Sequence, residues 1–160
     1  YEYICFSCRN EPGDDQRTRR LKSLVDDWYY VKEYNPFKLC DIIEEARIDV
    51  LFDLAGHTGN NRLTAFSARA APVQVTWLGY PGSTGVPNMD YRIVDDVTDP
   101  YPWADKLASE ELLRLPDCFI CYQPPKELAE LEVSNSVTSD KIVFGTFNEA
   151  SKFSKGVLAV

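Results

Sequence analysis

The residues best suited to contact a ligand follow a short apolar run in the segment 73–90. Valine and tryptophan in that run favour a packed strand, whereas the glycines and prolines after it exclude a regular helix or strand. Gly79 and Gly82 would allow a ligand to approach bare backbone. The loop also offers hydroxyl hydrogen-bond donors, those of Tyr80, Ser83 and Thr84. The pattern predicts either a binding loop or a structural turn, and it leaves both open.

The single histidine, His57, lies in a second glycine loop, which follows the apolar run 49–55. A nearly continuous apolar run of this length is typical of a parallel strand covered on both faces. The ends of parallel strands meet at one edge of a sheet, where ligands bind, so the two glycine loops should be neighbours. This position favours a role for His57 in a site over a role as a hydrogen-bonded structural histidine.

A third candidate is the polar segment 146–153, which follows the apolar run 141–145 and precedes a helix predicted from Ser154. A strand, a polar loop, a lysine and a helix start are typical of a phosphate-binding loop, with Lys152 as the counter-charge. The segment lacks the glycines of a Walker motif, so this pattern alone is weak evidence for a phosphate-binding loop.

The elements that would position these residues alternate along the chain. Strands are predicted at 2–8, 49–55 and from Val73, and further strands at 91–94, 118–122 and 141–145. Helices are predicted where Leu21, Leu24, Val25 and Trp28 recur at helical spacing, at 37–47, at 62–69 and ending at 110–113. Alternating strands and helices with short links predict an α/β fold, a Rossmann-like doubly wound parallel sheet.

A change in composition divides the chain. We predict one unit at 1–123, a polar connection at 124–140 and a new unit at 141–160. The acidic pair Asp95–Asp96 is interpreted as solvated turn chemistry, since no third metal ligand is apparent. The basic cluster of Arg17, Arg19, Arg20 and Lys22 is interpreted as a solvated helix face rather than an anion site.

Composition and charge limit the possible partners. The net charge of −8 and pI near 4.7 argue against nucleic acid or an anionic membrane as the main partner. No apolar run reaches the roughly 20 residues of a membrane span, so an intracellular protein is expected. Two CxxC pairs, Cys5 with Cys8 and Cys118 with Cys121, fall in predicted strands. Residues three apart on a strand face opposite sides, which favours reduced, buried thiols and no metal site.

Four segments together resemble one family, the O-linked N-acetylglucosamine transferases and their SPINDLY-like relatives, glycosyltransferase family 41. They are DVLFDLAGHTGNNRL (49–63), APVQVTWLGYPGSTGVPNMDYRIVD (71–95), LLRLPDCFICYQPP (112–125) and IVFGTFNEASK (142–152). The second segment is long and specific, whereas the first forty-odd residues match only in pattern.

The resemblance implies a fold, an activity and partners. It implies a GT-B enzyme with two Rossmann-like lobes, of which 1–123 would be an incomplete first lobe, 124–140 the connection and 141–160 the start of the nucleotide-binding lobe. Such enzymes transfer a sugar from a nucleotide donor to serine or threonine of proteins, with inversion and with neither metal nor cofactor. Tetratricopeptide repeats in the parent chain and a cytoplasmic or nuclear location are also implied.

The resemblance also assigns roles to individual residues. Leu78 and Gly79, with Tyr80 and Pro81, match the loop that approaches the donor sugar. Lys152 matches a catalytic lysine that neutralises the departing phosphates, and Asn148 and Glu149 lie in the same donor-binding segment. Glu149 stands where the family has an amide, and a carboxylate near phosphates is repulsive unless paired. His57 agrees with SPINDLY-like and bacterial members and is taken as lining the catalytic site.

Three functional alternatives remain open at this point. UDP-N-acetylglucosamine is the first choice of donor, and GDP-fucose, as in a SPINDLY-type fucosyltransferase, is the second. A non-catalytic interaction module is the third. Because the family's proposed base lies before Tyr1 and most of its nucleotide pocket beyond Val160, the 160-residue chain alone is expected to be inactive.

Overall fold

The computed structural model describes residues 1–9, 15–125, 128, 145–147, 149 and 154–156. The chain divides into two compact units, Tyr1–Tyr122 and Gln123–Val160. Every helix and strand described below lies in the first unit. Among the described residues, no helix is both long and apolar enough to cross a membrane.

The first unit begins with a two-stranded parallel sheet. Strand β1 (Ile4–Ser7) is followed by helix α1 (Gln16–Lys22) and strand β2 (Asp27–Tyr30), and β1 pairs with β2 in parallel. The helix predicted to extend to Trp28 is therefore wrong. It ends at Lys22, because the aromatic run that contains Trp28 has high strand propensity and supplies the hydrogen-bonding partner of β1. Leu21 and Leu24 are consequently exposed.

The next elements match the predicted alternation closely. Helix α2 (Pro36–Glu45) begins after Asn35, whose side chain accepts a hydrogen bond from the Lys38 amide. Strand β3 (Val50–Asp53), helix α3 (Leu63–Ser67) and strand β4 (Val73–Thr76) follow. Strands β3 and β4 are parallel neighbours, as the helical crossover between them requires.

Two more parallel strands complete a four-stranded sheet of order β3-β4-β5-β6. Strand β5 (Tyr91–Asp95) leads through a short 3₁₀ helix (Ala104–Lys106) to strand β6 (Glu111–Leu115). The helix predicted to end at 110–113 is wrong, because this segment alternates as a strand, with Leu112 buried and Leu113 exposed. The buried strand predicted at 118–122 is also wrong, since this segment is irregular and Cys118, Ile120 and Tyr122 are exposed.

One main core packs helices α2 and α3 against the four-stranded sheet. Its members include Leu39 and Ile43 of α2, Leu51 of β3 and Phe66 of α3. Gln74 of β4 is fully buried beside them, and its side-chain amide donates to the Phe66 and Asn88 carbonyl oxygens. Parallel strands joined by packed helices confirm the predicted Rossmann-like α/β class. Alternation alone did not predict that the described strands form two sheets.

The second unit is described at only a few positions. The Leu128 amide donates to the Pro125 carbonyl at 3.0 Å, and residues 155–156 form a turn. The predicted strand 141–145 falls outside the described residues except for Gly145. The predicted helix from Ser154 likewise extends beyond them. The assignment of 124–140 and 141–160 to a connection and a second lobe stays a prediction.

Candidate functional site

The two glycine loops lie side by side at the carboxyl ends of β3 and β4, as predicted. A Cβ added to Gly56 would lie 2.3 Å from the Cβ of Tyr80, and one added to Gly79 would lie 2.2 Å from the Leu54 carbonyl oxygen. Gly56 also has a φ of +53°, which side chains other than glycine's rarely adopt. Each loop therefore needs glycine where the other approaches, and the absent Cβ of Gly79 makes room for the β3 loop.

The loop after β4 presents Leu78 and Tyr80 to solvent. Leu78 has a φ of +71° and is 45% exposed, and Tyr80 is 38% exposed. A left-handed conformation is costly for a branched residue and persists only where the surrounding structure enforces it. The surrounding structure thus holds the backbone of Leu78 in this conformation, with the side chain exposed.

A buried arginine holds this loop from the sheet side. Arg92 of β5 is 6% exposed, and its guanidinium donates to the Pro81 carbonyl at 2.9 Å while pairing with Asp99. Below the loop, the Trp77 indole donates to the Phe119 carbonyl at 2.8 Å. The position of Pro81 is therefore fixed by a charge-assisted hydrogen bond rather than by the proline alone.

A buried carboxylate holds the other end of the loop. Glu110, 5% exposed, accepts hydrogen bonds from the Thr84 amide at 2.6 Å, the Thr84 hydroxyl and the Ser83 hydroxyl at 2.8 Å. Burial alone would raise the pKa of Glu110, but these bonds bring it below its ordinary value. The hydroxyls of Ser83 and Thr84 are thus engaged by Glu110, which corrects the expectation that they serve a ligand.

His57 extends from the first loop toward the second. Its Nε2 lies 2.8 Å from the Thr84 carbonyl oxygen, and its ring meets that of Tyr80 edge to face, with centroids 5.2 Å apart. His57 is nonetheless exposed. The structure brings His57 together with Tyr80, and its role in lining a catalytic site stays a prediction.

Asp53 fixes the turn that carries His57. This buried carboxylate at the end of β3 accepts hydrogen bonds from the Ala55 amide at 3.1 Å and the Gly56 amide at 2.9 Å. It also accepts from the Thr76 hydroxyl of β4 at 2.8 Å. The two strands and the turn are thereby joined through one side chain.

A small cavity of about 120 Å³ lies against the loop after β4. It is lined by Trp77, Leu78, Tyr80, Pro81, Arg92, Ile93, Val94, Thr98, Asp99 and Phe119. Most of these side chains are apolar, and the charges of Arg92 and Asp99 are paired with each other. This volume is well below the roughly 300–1,000 Å³ of a pocket that encloses a whole small ligand. This cavity is therefore too small to enclose a whole small ligand.

The remaining candidate residues belong to the second unit. Asn148 and Lys152 fall outside the described residues, and Glu149 is exposed. Their donor-binding and catalytic roles stay predictions.

The cysteines and the acidic pair Asp95–Asp96 were also considered as possible metal ligands. Cys5 and Cys8 are half-buried free thiols, whereas Cys118 and Cys121 are exposed, contrary to the expectation of buried thiols. Across the described ranges, no group of three or more His, Cys, Asp or Glu residues could hold a metal ion. Asp95 forms a turn as predicted, but it is buried and accepts from backbone amides instead of being solvated.

Sequence reasoning missed the charged residues that support the site. Glu110 was assigned to a helix end, and Arg92 and Asp53 were treated only as parts of strands. Each is at least 94% buried, and burial of a charge is the signal that marks such residues. Burial cannot be seen locally in the sequence, because each of these residues also has a side-chain partner that lies 7 to 27 residues away.

The described strands and helices define a parallel α/β lobe whose two glycine loops meet at one edge, and comparison with known proteins gives the family. The model of glycosyl transferase family 41 matches residues 2–151, and the chain belongs to this family.

The relatives it resembles are glycosyltransferases by name. It is 42% identical over 150 residues to a probable UDP-N-acetylglucosamine–peptide N-acetylglucosaminyltransferase SPINDLY of Arabidopsis thaliana. The matched region covers 91% of this chain and 16% of that protein. It is 27% identical over 159 residues to the corresponding SEC protein of the same plant, covering 94% of this chain and 16% of that one. The chain thus spans about a sixth of the length of these curated relatives.

A solved structure gives the same assignment. An O-GlcNAc transferase of Thermobaculum terrenum, solved as a K341M mutant, superposes with a TM-score of 0.72 at 42% identity. The superposition covers 79% of this chain and 24% of that one. The likeness confirms the fold class predicted from the sequence, a Rossmann-like lobe of a GT-B glycosyltransferase.

Proposed function

We propose that this chain belongs to the catalytic region of a protein O-glycosyltransferase that transfers N-acetylglucosamine from UDP-N-acetylglucosamine to serine or threonine hydroxyls. The observation that carries the proposal is the pair of interlocked loops at the ends of β3 and β4, in a member of family 41. A nucleotide sugar is the substrate class that matches such an edge in a parallel α/β lobe.

The reaction we propose is a single displacement at the anomeric carbon of the sugar. The acceptor hydroxyl oxygen forms a bond to that carbon while its bond to the diphosphate oxygen breaks, which inverts the configuration. The hydroxyl proton passes to a base, and the nucleoside diphosphate leaves with the bonding electron pair. Negative charge develops on the leaving group, so a fixed cation there would stabilise the transition state. Lys152 is assigned this role, which makes neither a metal nor a cofactor necessary.

The described loop would contribute positioning on the sugar side. Arg92 holds Pro81, and Glu110 holds Ser83 and Thr84 further along the same loop. Leu78, Gly79, Tyr80 and Pro81 would therefore meet the donor on a restrained loop. His57 lies beside Tyr80 and would line the same surface. Asn148 and Glu149 are assigned to donor binding with Lys152.

A second donor deserves the same test, because identity is higher to the SPINDLY relative than to the SEC relative. The resemblance to SPINDLY-like proteins makes GDP-fucose the alternative donor. A non-catalytic interaction module is the third candidate, supported by the carboxylate of Glu149 in a segment assigned to phosphates. Protein acceptors, tetratricopeptide repeats in the full-length protein and action in the cytoplasm or nucleus belong to the first two proposals.

Mass spectrometry of acceptor proteins tests the proposal directly. The full-length protein is incubated with a library of serine- and threonine-containing peptides and either UDP-N-acetylglucosamine or GDP-fucose, with and without EDTA. We expect peptides to gain one N-acetylhexosamine, at a rate that EDTA leaves unchanged. Gain of a deoxyhexose instead would establish the fucosyl alternative, and no gain with either donor by a folded protein would leave the interaction module.

A further inference from the structure

The Glu110 carboxylate has an unusual environment for a buried acid. It lies just before β6, is 5% exposed, and forms no ion pair with any lysine or arginine in the described ranges. Its charge is compensated instead by hydrogen bonds from the backbone amide and hydroxyl of Thr84 and from the Ser83 hydroxyl. A buried carboxylate is costly unless it is hydrogen-bonded, so this arrangement strongly restrains Thr84.

Thr84 in turn contacts the imidazole of His57. The Thr84 carbonyl oxygen lies 2.8 Å from Nε2. A carbonyl oxygen only accepts hydrogen bonds, so Nε2 must carry the proton and donate it. In the neutral ring the lone pair available to another molecule is then on Nδ1. No protein group in the described part of the chain bonds to Nδ1.

We propose that Glu110 is a positioning residue that acts on His57 through Thr84. By holding the amide and hydroxyl of Thr84, it restrains the residue whose carbonyl oxygen meets Nε2. The imidazole is thereby fixed as the Nε2–H tautomer, and Nδ1 is left to accept a proton or hydrogen bond from a hydroxyl or amide N–H of a bound sugar or acceptor. Tyr80, in the loop after β4, restrains the same ring through its edge-to-face contact. The use of this nitrogen for a sugar or acceptor rests on the proposed function, whereas the tautomer and its dependence on Glu110 do not.

Nitrogen NMR of the imidazole tests this inference without an activity assay. His57 is the only histidine in the 160-residue chain, so its ring gives one pair of ¹⁵N signals. In the neutral ring, we expect one nitrogen to show the shift of a protonated site and the other that of an unprotonated site. In Glu110→Ala the two shifts should move toward each other, because the ring then exchanges between tautomers.

Two further variants keep the result interpretable. Glu111→Ala makes the same change at the neighbouring exposed residue and should leave both shifts unchanged. Glu110→Gln preserves the shape and one acceptor oxygen, so it should give a smaller movement in the same direction even if Glu110→Ala fails to fold.

Averaged shifts in the wild-type protein, or unchanged shifts in a folded Glu110→Gln or Glu110→Ala variant, would overturn the inference. Failure of the proposed function would instead appear as absence of sugar transfer by the full-length protein, with the imidazole shifts unaffected.

Discussion

Asp95 shows how one buried side chain closes the end of a strand. Its carboxylate accepts hydrogen bonds from the amides of Val97 at 3.0 Å, Thr98 at 2.8 Å and Phe119 at 3.0 Å. These hydrogen bonds hold the pKa of Asp95 below its ordinary value, and the bonds from the Phe119 and Thr98 amides have the largest effect. Asp95 thereby ties the segment after β6 to the turn after β5, next to the cavity.

The lowered pKa predicts a specific dependence of stability on pH. The unfolded chain binds a proton at Asp95 near pH 3.9, and the folded protein binds it only at lower pH. The stabilisation from Asp95 is therefore fully present above the unfolded pKa and is lost as pH falls through the folded pKa. We expect the difference in unfolding free energy between wild type and Asp95→Asn, measured by urea denaturation, to shrink as pH falls below about 4.

Asp117→Asn is the matched control for this experiment. Asp117 is exposed, so its substitution should change the unfolding free energy little at any pH. A difference for Asp95→Asn that stays constant from neutral to acidic pH would contradict the role of its charge.

At the scale of elements, the two loops after β3 and β4 form one structural unit. Gly79 packs against the backbone of Leu54 and Ala55, and Gly56 packs against Tyr80. The interlock couples the position of the loop after β3 to that of the loop after β4. Both glycines are therefore needed for the close packing of the two loops.

Gly79→Ala should disrupt this interlock. The new methyl group would lie 2.2 Å from the Leu54 carbonyl oxygen, which forces the loops apart, at a cost of about 1–3 kcal/mol of stability. Thermal unfolding of the variant measures this cost. Gly59→Ala is the control, because a Cβ there has no neighbour within 4 Å. Equal stability of the two variants would show that the loops do not interlock as described.

The sequence predicted helices and strands well where a regular apolar pattern was bounded by proline or glycine. Helix α2 was predicted at 37–47 from its helical apolar spacing, and strands β3 and β4 from apolar runs that end in glycine. Strand β2 was missed because four residues can fit a helical spacing by chance, and its pairing with β1 decides the structure. Strand β6 was missed for the same reason, since its parallel partner β5 is remote in sequence.

The sequence predicted which loops would lie side by side, but not the buried residues that hold them in place. The adjacency of His57 and Tyr80 follows from the rule that parallel strands end at one edge. The roles of Arg92 and Glu110 depend on tertiary burial, which no local pattern reveals.

At the scale of the whole first unit, Arg62 links the two parallel sheets. Its guanidinium donates to the Val31 carbonyl at 3.1 Å and the Lys32 carbonyl at 2.6 Å, just after β2. Its Nε also lies 3.3 Å from the sulfur of Cys8, just after β1. Since Arg62 directly precedes helix α3, it connects the first sheet to the helical layer of the second.

Arg62→Ala should therefore loosen the first sheet selectively. Hydrogen bonds to a charged group contribute about 1.5–3 kcal/mol each, so their loss should speed amide exchange in β1 and β2 more than in β3 and β4. Hydrogen–deuterium exchange measures both sheets in one experiment. Arg17→Ala, on the exposed surface of α1, should change neither. A uniform increase across all strands would mean that Arg62 stabilises the unit as a whole rather than linking its sheets.

We infer that this region binds a nucleotide sugar, and calorimetric titration of the full-length protein measures that binding. UDP-N-acetylglucosamine and GDP-fucose are titrated separately into wild type, Lys152→Ala and Lys155→Ala. We predict that one donor binds and that Lys152→Ala weakens it about 10- to 100-fold, as loss of a charged contact to phosphate implies. Lys155→Ala, at an exposed lysine three residues away, should bind like wild type. Binding of neither donor by a folded wild-type protein would show that this region does not bind a nucleotide sugar, and equal losses in both variants would show that Lys152 has no specific role in binding.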